Sequence, residues 1–248
     1  MINVIKLGGS LLDDATRRAA ALDGIVAAWG RGEQLVVVHG GGKHVDAMLK
    51  KLGIAKKTHG GLRVTDDATL AVVVATLAGT VNKMLVAELA ARGVRAAGIS
   101  GSDASTVVAE PHPPIDGVAL GHVGRVTSSD PGLIRALLGA AILPVVSSVA
   151  QGADGTLLNV NADSAASAIA VALRASTLRF MTDVEGLLDA DGRLVPRLHA
   201  RDVASLIATN VVTGGMRPKL EAALAALQSG VRVINIGEGK GGTHLVAA

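Results

Sequence analysis

Ile2-Asn3-Val4-Ile5-Lys6-Leu7-Gly8-Gly9-Ser10 is the stretch that decides the fold. Strand-like residues run straight into a glycine pair, and residues 11–29, rich in Ala and Leu, follow with the length of a helix. The same arrangement recurs at Gln34–His39 (QLVVVH), which is followed by Gly40, Gly41 and Gly42 and by a helical segment at residues 45–52. Residues 94–99, 142–146, 178–182 and 232–236 read as further strands. These runs are apolar without alternation, as in strands buried on both faces of a parallel sheet covered by helices. Strand and helix alternate, so the chain is α/β.

Helix starts are marked as well. Thr65 precedes Asp66 and Asp67 at the head of an apolar segment, and Asp130 reads as an N-cap with Pro131 at the first helical position. Residues 111–117 (PHPPIDG) read as a hairpin excursion, not a domain boundary.

Composition removes several chemistries. The 248 residues include no Cys, no Tyr, one Trp, one Phe and 31 Gly. Without Cys there is no thiol nucleophile, disulfide, thiolate zinc site or iron–sulfur cluster. Two aromatic rings make no platform for stacked bases, so no nucleic-acid partner is expected. The net charge of +3 fits an enzyme of anionic substrates without specifying one. Mean hydropathy of +0.45 raises the question of a membrane. Charged residues, Gly or Pro interrupt the apolar runs before about 18 residues accumulate. No signal peptide fits a chain that enters a strand at Ile2, and the expectation is a cytoplasmic protein with no membrane partner.

In an open parallel sheet, ligands sit beyond the carboxyl ends of the strands, where helix N-termini offer free N–H groups. Gly8–Gly9 and Gly40–Gly42 stand at two such points, and adjacent glycines let backbone amides approach a phosphate. Lys6 adds a charge beside the first pair. Leu158-Asn159-Val160-Asn161-Ala162-Asp163 precedes an Ala-rich helix; its asparagines suit a carboxylate or amide ligand, or a helix cap. Asp163 can fix nearby lysines. Thr213-Gly214-Gly215-Met216-Arg217-Pro218-Lys219 puts a lysine in a first helical turn, an unfavourable place for a cation unless an anion binds there. Arg63, just before a helix, offers a fork for a carboxylate or phosphate.

Other motifs fail. There is no Walker-A sequence and no G-x-S-x-G elbow. Gly237-Glu238-Gly239-Lys240-Gly241-Gly242 matches G-x-G-x-x-G as a string, but no helix pattern or distant acid follows it. The seven histidines form no metal-binding spacing, and no protein-held metal is expected.

The stretches KLGGSLLD, VVVHGGG, GLRVT, LAGTVNK, GHVGRV, LPVVSSV, LNVNADSAA, MTDVEGLLD and GGMRPKL occur in this order up to Leu220. Taken together they closely resemble the amino acid kinase family. The resemblance implies a three-layer αβα sandwich with an open, mainly parallel central sheet. Residues 1–175 would form an N-terminal lobe binding an acylated amino acid and carrying a dimer interface, and residues 176–248 a nucleotide-binding lobe. The implied reaction is ATP-dependent phosphorylation of the side-chain carboxylate of N-acetyl-L-glutamate, with Mg²⁺ held mainly by the ATP phosphates.

By the same resemblance, Lys6 and Lys219 contact the transferring phosphoryl group and Asp163 organises them. Gly9 and Gly41 donate N–H groups near it. Gly41, Gly42, Arg63, Asn159 and Asn161 match positions that bind the acylated amino acid. Lys6, Gly8, Gly9, Asp183, Val184, Glu185, Gly186, Leu187, Leu188, Val211, Val212, Thr213 and Lys219 match the nucleotide site. The chemistry is consistent with this set. A glutamate side chain has a reference pKa near 4.3, so the acceptor is already ionised and no general base is needed.

Arginine-inhibited members carry an N-terminal helix ahead of the first strand, and here five residues precede Lys6. The expectation is therefore a homodimer insensitive to arginine. The helix that family members place before a closing G-T-x-[IV] strand is replaced by a brief loop at residues 235–242. Two rivals stay open: a relative acting on another acid (carrier-linked aminoadipate, glutamate, aspartate or carbamate), and a non-catalytic amino-acid sensor on the same fold. A nicotinamide oxidoreductase would rest on the Gly237–Gly242 string alone.

Overall fold

The computed structural model of the chain describes residues 1–189, 191–208, 216–238 and 241–247. In chain order the elements begin with β1 (Ile2–Leu7), α1 (Gly9–Asp13), α2 (Ala15–Gly30), β2 (Gln34–His39) and α3 (Gly42–Lys51). A small hairpin, β3 (Thr58–His59) and β4 (Leu62–Arg63), leads to α4 (Asp67–Val74) and α5 (Asn82–Ala90). Then come β5 (Ala96–Ser100), β6 (Val108–Pro111), β7 (Val123–Ser128), α6 (Gly132–Gly139), β8 (Leu143–Ser147), β9 (Val149–Gln151) and β10 (Leu157–Val160). The rest is α7 (Ala162–Leu173), β11 (Thr177–Met181), β12 (Arg197–His199), α8 (Ala200–Ala208), α9 (Met216–Gln228), β13 (Val233–Ile236) and β14 (Thr243–Val246).

Eight strands form one sheet in the order β12-β14-β13-β11-β1-β2-β8-β5. All neighbouring pairs are parallel except β13 with β14. Helices lie on both faces, giving the αβα sandwich. On one face α7 and α9 bury Leu178, Phe180, Ile234 and Ile236; on the other α2 and α5 bury Ile5, Leu7, Leu35 and Val37. Burying a side chain such as Phe180, fully buried here, contributes roughly 2–3 kcal/mol. A separate closed barrel of β10, β7, β6 and β9 flanks the sheet, a feature that the strand pattern of the sequence did not suggest.

Several expected boundaries shift. Residues 11–29 form two helices, because Asp14 leaves helical geometry and its side chain accepts from the Thr16 and Arg17 amides, capping α2. Pro131 stands at the cap of α6, while Asp130 Oδ1 accepts from Gly132 N at 2.7 Å. α4 starts where expected, with Asp66 as its cap, the side chain accepting from Thr69 N at 2.9 Å. Ile115 and Val118 bridge across a turn at Asp116 and Gly117, so residues 111–117 contain the expected hairpin turn. After Gly237–Gly242 the chain enters β14, a strand antiparallel to β13, which removes the dinucleotide reading of that string.

The run Asp67–Ala90 is long and apolar enough to cross a bilayer by length and composition alone. One side of it is core: Val72, Val73, Leu77, Val81, Leu85 and Leu89 are buried. Between α4 and α5, residues Ala75–Val81 widen into a π-helical turn, a local irregularity that functional sites often use. Leu77 and Val81 of this turn lie against Gly41, where a Cβ would come within 2.9 Å of Leu77 Cδ2.

Candidate active site

Parallel neighbours β1 and β2 end side by side, so their glycine turns meet. A Cβ on Gly9 would stand 3.8 Å from the Gly42 amide nitrogen. Gly8 N donates to Met181 O at 2.9 Å, tying the first turn to β11. There is no room there for a side chain, since a Cβ on Gly8 would lie 2.9 Å from the same carbonyl oxygen. The second turn opens α3, whose free amides face the first.

Beneath these turns three charged side chains share one buried cluster. Lys6 Nζ lies 2.8 Å from Asp163 Oδ1, and Lys219 Nζ lies 3.1 Å from Oδ2 and 3.2 Å from Oδ1. All three side chains are less than 10 % exposed. Each comes from a different element: Lys6 from β1, Asp163 from the first turn of α7, Lys219 from the first turn of α9. Burial alone would raise the Asp163 pKa, but the two ammonium groups outweigh it and hold the carboxyl below its usual range. Lys219 is pushed down, first by burial and then by Lys6. Its ammonium also sits 5.5 Å from the centroid of the Phe180 ring. Two cations and one anion leave an excess positive charge in a dry site, which an anionic ligand would neutralise.

Arg63 lies on the β3–β4 hairpin across the turn from α3. Its Nη2 donates to Gly42 O at 3.1 Å and stands 2.5 Å from Asp46 Oδ1, while Lys56 Nζ donates to Asp46 Oδ2 at 2.8 Å. Burial works to raise the Asp46 pKa, but Lys56 and Arg63 bring it down. The other nitrogen of the fork, Nη1, is buried and unpartnered within the protein. It suits a carboxylate ligand. Asn159 Nδ2 donates to Thr65 Oγ1 at 3.1 Å, and Thr65 Oγ1 donates to Arg63 O at 2.8 Å, so Asn159 is linked to the hairpin backbone. Asn161 is the N-cap of α7: its Oδ1 accepts from Asp163 N at 2.7 Å.

The stretch after β11 starts beside the first glycine turn, where Gly8 N donates to Met181 O and the Ser10 hydroxyl bonds Asp183. Asp183 is held below its usual pKa because the Ser10 hydroxyl and its own backbone amide outweigh burial. Val184 and Leu188 are exposed, whereas Leu187 is buried in the core and its amide donates to Thr243 Oγ1 at 2.8 Å. Leu187 thus supports the segment from below, with Glu185 and Gly186 between. Val211, Val212 and Thr213 lie outside the described residues.

Sequence reasoning assigned no role to Asp46, Thr65, His39 or Asn82. His39 and Asn82 stood inside quoted stretches, VVVHGGG and LAGTVNK, and the signal for them was a polar residue inside an otherwise apolar run. Among the described residues no group of His, Asp and Glu is arranged to hold a metal.

Residues 1–237 match the model of the amino acid kinase family. An acetylglutamate kinase of Geobacillus thermodenitrificans is 44 % identical over 96 % of this chain and 90 % of its own. One from Methanopyrus kandleri is 44 % identical over 93 % and 92 %. Among solved structures, the smu.665 protein of Streptococcus mutans superposes with a TM-score of 0.88 at 32 % identity, over 99 % of this chain and 98 % of its own. Carbamate kinase from Giardia lamblia bound to AMP-PNP shares the fold at a TM-score of 0.71 and 17 % identity, covering 100 % of this chain and 98 % of that one. The family model and the relatives span the same strands whose glycine turns surround the buried lysines, and this chain belongs to the amino acid kinase family.

Proposed function

We propose that the protein transfers the γ-phosphoryl group of ATP to the side-chain carboxylate of N-acetyl-L-glutamate, the kinase step of arginine biosynthesis. The observation that carries the reading is the buried Lys6–Asp163–Lys219 cluster, with its excess positive charge, below two glycine turns. Relatives named acetylglutamate kinase over nearly the whole chain support the choice of acid.

The acceptor carboxylate is ionised at neutral pH and attacks phosphorus directly. A bond forms between a carboxylate oxygen and the γ-phosphorus, the bond from phosphorus to the β–γ bridging oxygen breaks, and ADP leaves. Such a step needs in-line positioning and compensation of charge at both ends. Lys6 and Lys219 supply the charge, Asp163 holds both ammonium groups in place, and the Gly9 and Gly41 amides donate to phosphoryl oxygens. Arg63, with Gly42, Asn159 and Asn161, holds the acylated amino acid, Arg63 through its free Nη1. Asp183, Val184, Glu185, Gly186 and Leu188 contact the nucleotide, a role that the family resemblance also implies for Val211, Val212 and Thr213. Residues 1–175 then form the acceptor lobe and residues 176–248 the nucleotide lobe. Mg²⁺, carried mainly by the ATP phosphates, supplies further charge compensation when bound.

A homodimer is part of the same proposal. β5 is a terminal strand of the sheet, and edge strands invite pairing with another copy. The neighbouring helical run Asp67–Ala90 is apolar beyond its buried side. Sedimentation at assay concentration checks this: a single species of twice the chain mass is expected.

The decisive measurement is ADP release with ATP and Mg²⁺ against a panel of N-acetyl-L-glutamate, glutamate, aspartate and aminoadipate. Turnover confined to N-acetyl-L-glutamate is expected. Turnover with a different acid would replace the substrate, and ligand binding without turnover would make the chain a sensor.

A further inference from the structure

Behind the second glycine turn lies a buried polar pair that the proposed reaction does not use. His39, the last residue of β2, is fully buried, as is Asn82 at the start of α5. His39 Nδ1 is 2.8 Å from Gly40 O, and Nε2 is 3.1 Å from Asn82 Nδ2. The Asn82 amide is oriented by its other partners. Nδ2 lies 2.9 Å from Val145 O and 3.2 Å from Ile99 O, which only accept, and Oδ1 accepts from Lys83 Nζ at 3.1 Å. Gly40 O can only accept, so the ring proton is on Nδ1 and is donated to it, while Nε2 is the unprotonated nitrogen and faces an Asn82 amide whose two hydrogens are shared among Val145 O, Ile99 O and the ring.

Gly40 O belongs to the same peptide unit as Gly41 N–H. Among the described residues no peptide bond is cis, and in a planar trans unit the C=O and N–H point in opposite directions. Holding the carbonyl therefore sets the direction of the N–H. This unit is flanked by two glycines, so a flip meets little steric resistance from side chains of its own. The two faces of the sheet are distinct here: Lys6 points to the face of Asp163, while Leu7 and its register partner His39 point to the face of α5. A carbonyl held on the His39 side turns the Gly41 N–H toward the side of the lysines.

We propose that His39 is a positioning residue whose Nδ1–H holds the Gly40 carbonyl and so aims the Gly41 N–H at the transferring phosphoryl group. The inference rests on the activity proposed above. A preorganised donor at a developing oxyanion raises the rate without reorganising during the step, and loss of one such donor costs about 10²–10³-fold in kcat. Partial loss of its aim is expected to cost tenfold or more.

Two substitutions separate this role from a merely structural one. In His39→Asn the Nδ2 of the new side chain stands the same number of bonds from Cβ as Nδ1, so the donor to Gly40 is kept and the Asn82 contact is lost. In His39→Gln the acceptor for Asn82 is kept and the donor to Gly40 is lost. The expected result is that His39→Gln loses kcat at least tenfold, with KM for ATP and N-acetyl-L-glutamate within about twofold, while His39→Asn keeps kcat within about threefold. Equal kcat losses in the two variants, or a fall in Tm for His39→Gln without a fall in kcat, overturn the proposal. Wild-type turnover in the same assay tests the activity itself. Ring ¹⁵N shifts of the wild-type protein test the hold on Gly40 without turnover: an Nδ1–H tautomer is expected, and an Nε2–H tautomer overturns it.

Discussion

Lys219 Nζ stands 3.1 Å from Asp163 Oδ2, although 56 residues separate them in the chain. α7 and α9 pack side by side on one face of the sheet, and that packing brings the first turns of both helices to the end of β1. Lys6 reaches the other carboxylate oxygen. The carboxylate is thus shared, and the pair of lysines keeps a net charge.

Removing either lysine should therefore damage turnover more than folding. Lys6→Ala and Lys219→Ala are each expected to lower kcat by about 10²-fold or more, as loss of an oxyanion donor does. Asp163→Asn leaves two ammonium groups facing each other in a buried site and should also destabilise the fold by about 3 kcal/mol. Steady-state ADP release and urea unfolding separate the two effects; near-normal kcat in both lysine variants would refute the assigned roles.

Arg63 is held by Asp46 and by Gly42 O so that one nitrogen of its fork stays free. Arg63→Lys replaces a planar fork with a point charge. The expected outcome is a KM for N-acetyl-L-glutamate raised about tenfold with kcat changed much less, and Asp46→Asn should move KM in the same direction. Calorimetric titration of the acid checks both.

His39 carries a pH dependence of stability. Burial pushes its pKa down from 6.5 to about 4; the Gly40 carbonyl opposes this, and His44 and Lys83 add to it. Between these values the unfolded chain binds the proton and the folded chain does not, so stability is lost as pH falls from about 6.5 to about 4. The shift corresponds to about 3 kcal/mol at full development. Unfolding free energies measured across this range should show that limb in the wild type and a smaller one in His39→Asn.

Thr243 Oγ1 accepts from Leu187 N at 2.8 Å and donates to Val195 O at 2.7 Å, both in protein interior next to the proposed nucleotide segment. Thr243→Val matches its shape and leaves two backbone groups unpaired. A loss of about 1–3 kcal/mol in stability is expected. KM for ATP should rise with it, read by the same assay at saturating N-acetyl-L-glutamate.

Much of this was legible in local pattern. β1, β2, β8 and β11 declared themselves because a strand covered on both faces needs an unbroken apolar run, and the glycine turns declared themselves because only glycine lets amides come so close to a ligand or to Met181 O. Other features left weaker traces. The break at Asp14 was hidden because the helical pattern continues on both sides of it. The closed barrel of β6, β7, β9 and β10 depends on pairings between short strands, such as Asn159 with Val123, that no single run displays.

The sequence by itself determined which residue types could do chemistry here: no thiol, no phenol, two suitable lysines, and glycines placed after strands. Those are properties of composition and of neighbours along the chain. Only the tertiary structure decided that Lys6, Asp163 and Lys219 share one dry site, that Arg63 keeps one nitrogen unpartnered, and that His39 grips the carbonyl beside Gly41. Such relations depend on strand order and helix packing, because charge, burial and hydrogen-bond direction act through space and not along the chain.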